Sequence, residues 1–306
     1  MNNLDQASGL RKLKDETQFG KTTTGIPKLL DTRILAISSG KGGVGKSTIT
    51  VNLAIALAKE GKKVLVLDGD LGLANINVLL GVIPKYTLFH VVKGHKRLQD
   101  IILQTPEGID IVPGASGYAQ LADLDGVSRE NLIQSFSELE NYDIILVDTG
   151  AGISSVVISL VLAADEVLVI TTPEPTSITD SYGLIKSITQ KNRSFKINVL
   201  VNKARDEQES HKVAKRVIEI SEKFLNVVPF EIGAVYKDEE VEKSIIAQKP
   251  FFISSPKSKA TECIIKLSQK ILREEIEDEQ PVSDQNKLSN YFRKLFQSSE
   301  NKSRVG

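Results

Sequence analysis

The sequence predicts a doubly wound α/β domain with a mostly parallel sheet, and two observations predict it. From Arg33 onward, short β-branched runs alternate with longer stretches of helical spacing, the signature of strands joined by crossover helices. Most of these runs are apolar throughout, as expected for strands covered on both faces. The clearest strands are residues 33–38, 63–68, 109–114, 142–148, 166–172 and 196–202. Helices are expected at 47–60, 128–140, 154–164, 176–191, 207–225, 238–247 and 257–276. Together they make one domain over residues 32–276. Residues 1–31 are polar, without strand or helix period, and read as a flexible lead. Residues 274–286, EEIEDEQPVSDQN, carry the end of the last helix into an acidic linker (277–286) interrupted by Pro281. Residues 287–306 form a separate tail.

Composition bounds the function. The 306 residues carry 39 Lys+Arg against 39 Asp+Glu, which argues against a protein that coats nucleic acid by bulk charge. The single Cys263 excludes an intramolecular disulfide framework and a Cys-rich metal or iron–sulfur site within one chain, and suits a reducing cytoplasm. No run approaches the roughly 18 apolar residues that span a bilayer, and the first residues lack the apolar core of a secretory signal. The expected location is therefore cytoplasmic, with any membrane contact peripheral.

Directly after the first strand comes Ser39-Gly40-Lys41-Gly42-Gly43-Val44-Gly45-Lys46-Ser47-Thr48, followed by a helix-forming stretch. Strand, Gly-rich loop, Lys-Ser and helix are the parts of a P-loop. Glycines let the backbone wrap a polyphosphate with its N–H groups pointing inward, and the helix N-terminus adds a partial positive charge. Lys46 can reach the β and γ phosphates and the Ser47 hydroxyl can bind Mg²⁺. Acidic segments close two strands, with Asp68 and Asp70 in one and Asp148 in the other, at the sheet end where α/β proteins bind ligands. An Asp at a strand end also commonly caps the next helix. At Asn202-Lys203-Ala204-Arg205 a guanine-reading site of the NKxD type would need a carboxylate where Arg205 stands. Its absence favours adenine, so ATP and Mg²⁺ are the expected ligands.

The second lysine of the loop, Lys41, makes GKGGVGKST resemble the deviant Walker A motif of the MinD/ParA family of ATPases, over residues 33–276. The resemblance implies slow ATP hydrolysis and an ATP-dependent homodimer in which Lys41 crosses to the partner's phosphates, the same device as an arginine finger. It implies that Asp70 orients the attacking water, that Asp68 and Asp148 support the Mg²⁺ shell through its waters, and that Asn202 contacts adenine. Lys41 as a solvated loop charge and Asn202 as a buried or capping residue are the plainer alternatives. Division-site members usually carry Pro where this chain has Gly150, which leaves that segment's geometry open.

The tail Lys287–Phe296 places Leu288, Tyr291, Phe292, Leu295 and Phe296 on one helical face beside Lys287, Arg293 and Lys294. A basic amphipathic segment suits an anionic membrane surface, and a helix docking on its own domain or on a protein partner is the alternative. Near the other end, Asp5-Gln6-Ala7-Ser8-Gly9-Leu10-Arg11 resembles the DQAxxLR segment of the family's flagellum-number regulators. There, Asp5, Gln6, Ala7, Leu10 and Arg11 imply a partner-activating helix acting on FlhF, a signal-recognition-type GTPase. Basal-body or C-ring proteins and a flagellar transcription activator are further implied partners, and no direct nucleic-acid contact is expected. Division-site positioning of the MinD type and DNA partition of the ParA type are the competing functions. The first leaves residues 5–11 unexplained, and the second does not need an amphipathic tail.

Overall fold

Apolar runs without alternation require two cores, and the computed structural model, which describes residues 32–70, 75–114, 135, 142–277 and 290–295, contains them. In β1 (Arg33–Ser39), Ile34 and Ala36 enter one buried cluster while Leu35 and Ile37 enter the other. The same division repeats in β2 (Val64–Gly69), β5 (Ile144–Ala151), β6 (Glu166–Thr171) and β7 (Lys196–Ala204). With β3 (Leu103–Gln104), β4 (Asp110–Val112) and β8 (Phe230–Tyr236) they form one sheet in the order β3-β4-β2-β5-β1-β6-β7-β8. All neighbours are parallel except β3 against β4.

One face is covered by α1 (Lys46–Lys59), α2 (Asn75–Leu79), α8 (Phe251–Ser254) and α9 (Lys259–Glu277), with α7 (Glu239–Ile246) at its edge. The other is covered by α3 (Leu88–Val92), a 3-10 turn (Leu98–Ile101), α4 (Ser155–Ala163), α5 (Pro175–Thr189) and α6 (Glu207–Leu225), with a last helix, α10 (290–295). Starts follow local chemistry: the side chains of Ser154, Asp206 and Asp238 accept from the first-turn amides of α4, α6 and α7. The crossover from β1 leads to β2 on one side of the sheet, and that from β5 leads to β6 on the other. Such a reversal opens a crevice at the strands' carboxyl ends, which positions the site.

Six predicted strands and six of the seven predicted helices appear; the helix expected at 128–140 lies outside the described residues. The elements not anticipated are the short ones (α2, α3, α8, β3 and the 3-10 turn) and the edge strand β8. β8 is half-exposed, and its Gly233 lies beside a register shift against β7, so it lacks the continuous apolar run of a central strand.

Candidate nucleotide site

The loop from Gly40 to Gly45 leaves β1 and enters α1, which has no side-chain cap and no acid in its first turn. Its first amides are therefore available to an anion. Gly45 has φ 92°, and a Cβ there would stand 2.4 Å from Asn202 Nδ2, so both conformation and space demand glycine. The loop borders a cavity of about 370 Å³ lined by Lys41, Gly42 to Thr48, Asp70 and Asn75, with Val78, Ala151 and Ile245 at its rim. Phosphate groups and a nucleoside fit a cavity of this size and lining.

Lys46 is buried and its Nζ donates to Asp148 Oδ1 at 2.8 Å. Thr50 Oγ1 lies 3.4 Å from the same oxygen and donates to the Lys46 carbonyl at 3.0 Å. Burial lifts the Asp148 carboxyl above its ordinary range, while the Lys46 ammonium and the Ser47 hydroxyl pull against that rise. Asp68, next to it across β2 and β5, is pushed up to about 7, first by burial and then by the charge of Asp148. Asp68 Oδ2 and Asp148 Oδ2 are buried without a hydrogen-bond partner. Asp70 is half-buried; its carboxylate accepts from Asn75 Nδ2 at 3.3 Å, and its amide donates to Asp68 Oδ1 at 3.3 Å.

These features fit a magnesium-bound polyphosphate. Two buried carboxylate oxygens lack partners, a hydroxyl stands beside them, and a lysine is neutralised by a carboxylate instead of by phosphate. Mg²⁺ is usually held by few protein ligands, its waters and substrate phosphates. Among the described residues no three His, Cys, Asp or Glu side chains converge as a metal cage, so the phosphates and Ser47 would supply the remaining ligands.

The segment after β5 is tied to β1: the Thr149 hydroxyl lies 3.1 Å from the Ile37 carbonyl and 2.9 Å from the Ser38 hydroxyl, and Gly152 N donates to Ser39 O. At Gly150 a Cβ would meet Val157 Cγ2 at 3.4 Å and Asp70 Oδ1 at 3.8 Å, both ordinary contacts.

Lys41 is paired apart from Lys46 and Asp148. Its Nζ donates to Glu174 Oε2 at 2.7 Å and to Thr176 Oγ1 at 3.2 Å, and its side chain is 40% exposed. This pair holds the Glu174 carboxyl below its usual range. Asn202 reaches the loop, but its amide donates to Val44 O at 2.8 Å and accepts from Lys203 N at 2.9 Å. Its second amide hydrogen and the second lone pair of Oδ1 remain for a base edge. Lys203, at φ 61°, donates from Nζ to Gly43 O at 2.9 Å, and Arg205 is paired outward with Glu209 at 2.8 Å. Sequence reasoning missed Glu174, Lys203 and Thr50. Glu174 follows β6 at the same sheet end as the other carboxylates, and that position was the available signal.

The tail takes the intramolecular arrangement. Tyr291, Phe292 and Leu295 are buried in the core on the α4 side, and Tyr291 OH donates to Leu160 O at 3.1 Å. Leu288, Phe296 and the segment Asp5 to Arg11 lie outside the described residues. Among the described residues no helix is long and apolar enough to cross a membrane.

A parallel sheet whose first βα turn is a Gly-rich, lysine-bearing phosphate loop, with carboxylates on the adjacent strand ends, defines a P-loop nucleoside triphosphatase. Residues 32–201 match the family described as an AAA domain. The chain is 42% identical to the antiactivator FleN of Pseudomonas aeruginosa, over 78% of this chain and 86% of that one. It is 38% identical to the flagellum site-determining protein YlxH of Helicobacter pylori, over 62% of this chain and 65% of that one. Among solved structures, the septum site-determining protein MinD of Pyrococcus horikoshii in complex with Mg-ADP matches with a TM-score of 0.64 and 28% identity, over 83% of this chain and 99% of that one. This chain belongs to the MinD/ParA family of P-loop ATPases.

Proposed function

We propose that this protein is an ATP-switched, membrane-associating regulator of the number and placement of bacterial flagella. The observation that carries the reading is Lys41, the second lysine of the phosphate loop, which is paired with Glu174 while Lys46 is paired with Asp148. A cation so placed serves a nucleotide on a second copy, which makes dimerisation depend on ATP. The flagellar assignment is supported by the likeness to FleN and YlxH and by the DQAxxLR segment.

ATP supplies the transferable γ-phosphoryl, and Mg²⁺ neutralises charge developing on the phosphates. On the protein side, arriving phosphate replaces Asp148 as the partner of Lys46. Asp148, Asp68 and Ser47 are the side chains that would hold Mg²⁺, the two carboxylates through its waters. Asp70, kept oriented by Asn75, accepts a hydrogen from the attacking water and aligns it. Dimerisation requires Lys41 to leave Glu174. The tail, whose apolar face is occupied by the domain in the monomer described above, binds an anionic membrane only after undocking. Two tails on one dimer add avidity, so hydrolysis times residence at the cytoplasmic face. Asp5, Gln6, Ala7, Leu10 and Arg11 stimulate the FlhF GTPase. C-ring proteins and a transcription activator are the further partners, the latter supported by FleN's designation as an antiactivator.

Division-site positioning is the second reading, favoured by the likeness to MinD. Deleting the gene and counting flagella and chromosome-free minicells in one population separates the two. Altered flagellar number or placement with normal division is expected; minicells with normal flagella would reject the flagellar reading.

A further inference from the structure

A stretch of this neutral chain is strongly one-sided in charge. Residues 71–99 contain no Asp or Glu, yet carry Lys85, Lys93, Lys96 and Arg97 with His90 and His95. The fold gathers most of these onto one patch around α3. The ammonium groups of Lys85 and Lys96 lie 5.4 and 4.2 Å from the centre of the Tyr86 ring, and that of Lys93 lies 5.9 Å from the centre of Phe89. The His90 ring stands edge-on to both aromatics, at 5.3 and 5.7 Å. Among the described residues no carboxylate pairs with Lys85, Lys93 or Lys96. Asp100, the first acid after the stretch, is engaged by Arg97 at 3.0 Å.

Two residues before Lys85, Ile83 is 96% exposed, while the segment is anchored by the buried Leu88 and Leu98. Those anchors belong to the same core, on the same face of the sheet, as Tyr291, Phe292 and Leu295 of the tail. A patch of lysines on aromatic rings, with one exposed isoleucine, matches the chemistry of a bilayer interface. Cations meet headgroup phosphates, and rings and an aliphatic tip meet the acyl boundary. A nucleic-acid backbone would use the cations but leave Ile83 without a role.

We propose that the Ile83–Arg97 patch is a second membrane contact, specific for anionic phospholipid, acting beside the tail. It rests on the membrane-associating reading above but does not need the tail to be free. Nucleotide-free protein, its tail docked, therefore binds anionic vesicles weakly through the patch alone, and an ATP analogue adds the tail.

The test is co-sedimentation of the full chain with vesicles of phosphatidylglycerol and phosphatidylcholine, against phosphatidylcholine alone, with and without a non-hydrolysable ATP analogue. Wild type is compared with a Lys85→Gln/Lys93→Gln/Lys96→Gln variant and with Ile83→Ser. Each lysine near an anionic surface contributes about fivefold in partitioning, so the triple variant should bind nucleotide-free roughly 100-fold more weakly. Its residual binding should lose the salt dependence of the wild type, and Ile83→Ser should weaken binding several-fold. Unchanged melting temperature and basal ATPase activity would show that the variants fold. Equal binding of wild type and triple variant to anionic vesicles would overturn the patch while leaving the tail intact. Nucleotide-free binding without any gain from the analogue would instead reject release of the tail and keep the patch. If the triple variant loses retardation of a DNA fragment at unchanged vesicle binding, the surface belongs to nucleic acid and the proposal fails.

Discussion

The two ends of the central strands bury charge in opposite ways. At the amino ends, both oxygens of Glu166 are taken: Arg33 donates to one and Asn198 Nδ2 to the other at 2.7 Å, with Lys196 3.7 Å away. Arg33 also donates to the Ile271 carbonyl at 2.6 Å, tying β1 and β6 to α9. At the carboxyl ends, Asp68 and Asp148 are equally buried, but each keeps an oxygen without a partner, and Lys46 is paired with Asp148. A buried carboxylate with donors on both oxygens holds elements together, whereas one with a spare oxygen holds a place for a ligand. The comparison separates a structural end of the sheet from a working end.

The largest way to break that comparison is Glu166→Ala. It removes Glu166 from the part-buried Arg33 guanidinium and from Asn198, and urea unfolding should show a loss of about 3–5 kcal/mol. Nucleotide affinity of the folded fraction should stay the same. A loss below about 1 kcal/mol would mean that water reaches Arg33 and that the amino end is not a closed network.

At the working end the expected pattern is reversed. Asp70→Ala should lower ATP hydrolysis by roughly 10²–10⁴-fold, the usual range for a positioned proton acceptor, with ATP binding retained and stability changed by less than about 0.5 kcal/mol. Single-turnover hydrolysis and equilibrium unfolding measure the two sides. Rapid turnover by this variant would remove Asp70 from its assigned role.

Asp68 sharpens the contrast through pH. Its folded pKa of about 7 lies above the value of 3.8 for an unperturbed Asp, so the folded nucleotide-free protein holds a proton that the unfolded chain has lost. The stability tied to that proton is complete below pH 4 and is lost as pH rises through 7. Asp68→Asn removes the dependence. It should stabilise the nucleotide-free protein by roughly 2 kcal/mol more at pH 8 than at pH 5, read from denaturant midpoints at the two pH values. Equal effects at both would mean that Asp68 is hydrated.

Which parts were legible in the sequence follows from the same division. The central strands announce themselves because burial on both faces demands continuous apolar residues, and the P-loop because its backbone path demands glycine at set positions. Asp68, Asp70 and Asp148 could be found because each lies in or just past the end of a recognisable strand. The loop's contacts with distant strand ends were not legible. Glu174 meets Lys41 across 133 positions, and Lys203 meets Gly43 across 160; no local period records contacts made only when distant strand ends come together. The tail shows the limit differently. Its helical face of Tyr291, Phe292 and Leu295 specified an apolar partner, but an apolar face fits a bilayer and a protein core equally well. Only the packing against Leu160 shows which one it meets in the folded monomer.

The exposed pair between Lys41 and Glu174 tests how far the division extends. It lies at the working end, but unlike Lys46 and Asp148 it stands in solvent, with its side chains 40% and 61% exposed, where an ion pair contributes little. Glu174→Gln should therefore leave the unfolding midpoint of the monomer unchanged. Its effect belongs to the dimer, since the charge that keeps Lys41 on its own subunit is gone. Sedimentation velocity with a non-hydrolysable ATP analogue should show dimer association strengthened by no more than about fivefold. A weakened dimer would mean that Glu174 is needed across the interface, and Glu174 would then belong with the residues that complete the partner's site.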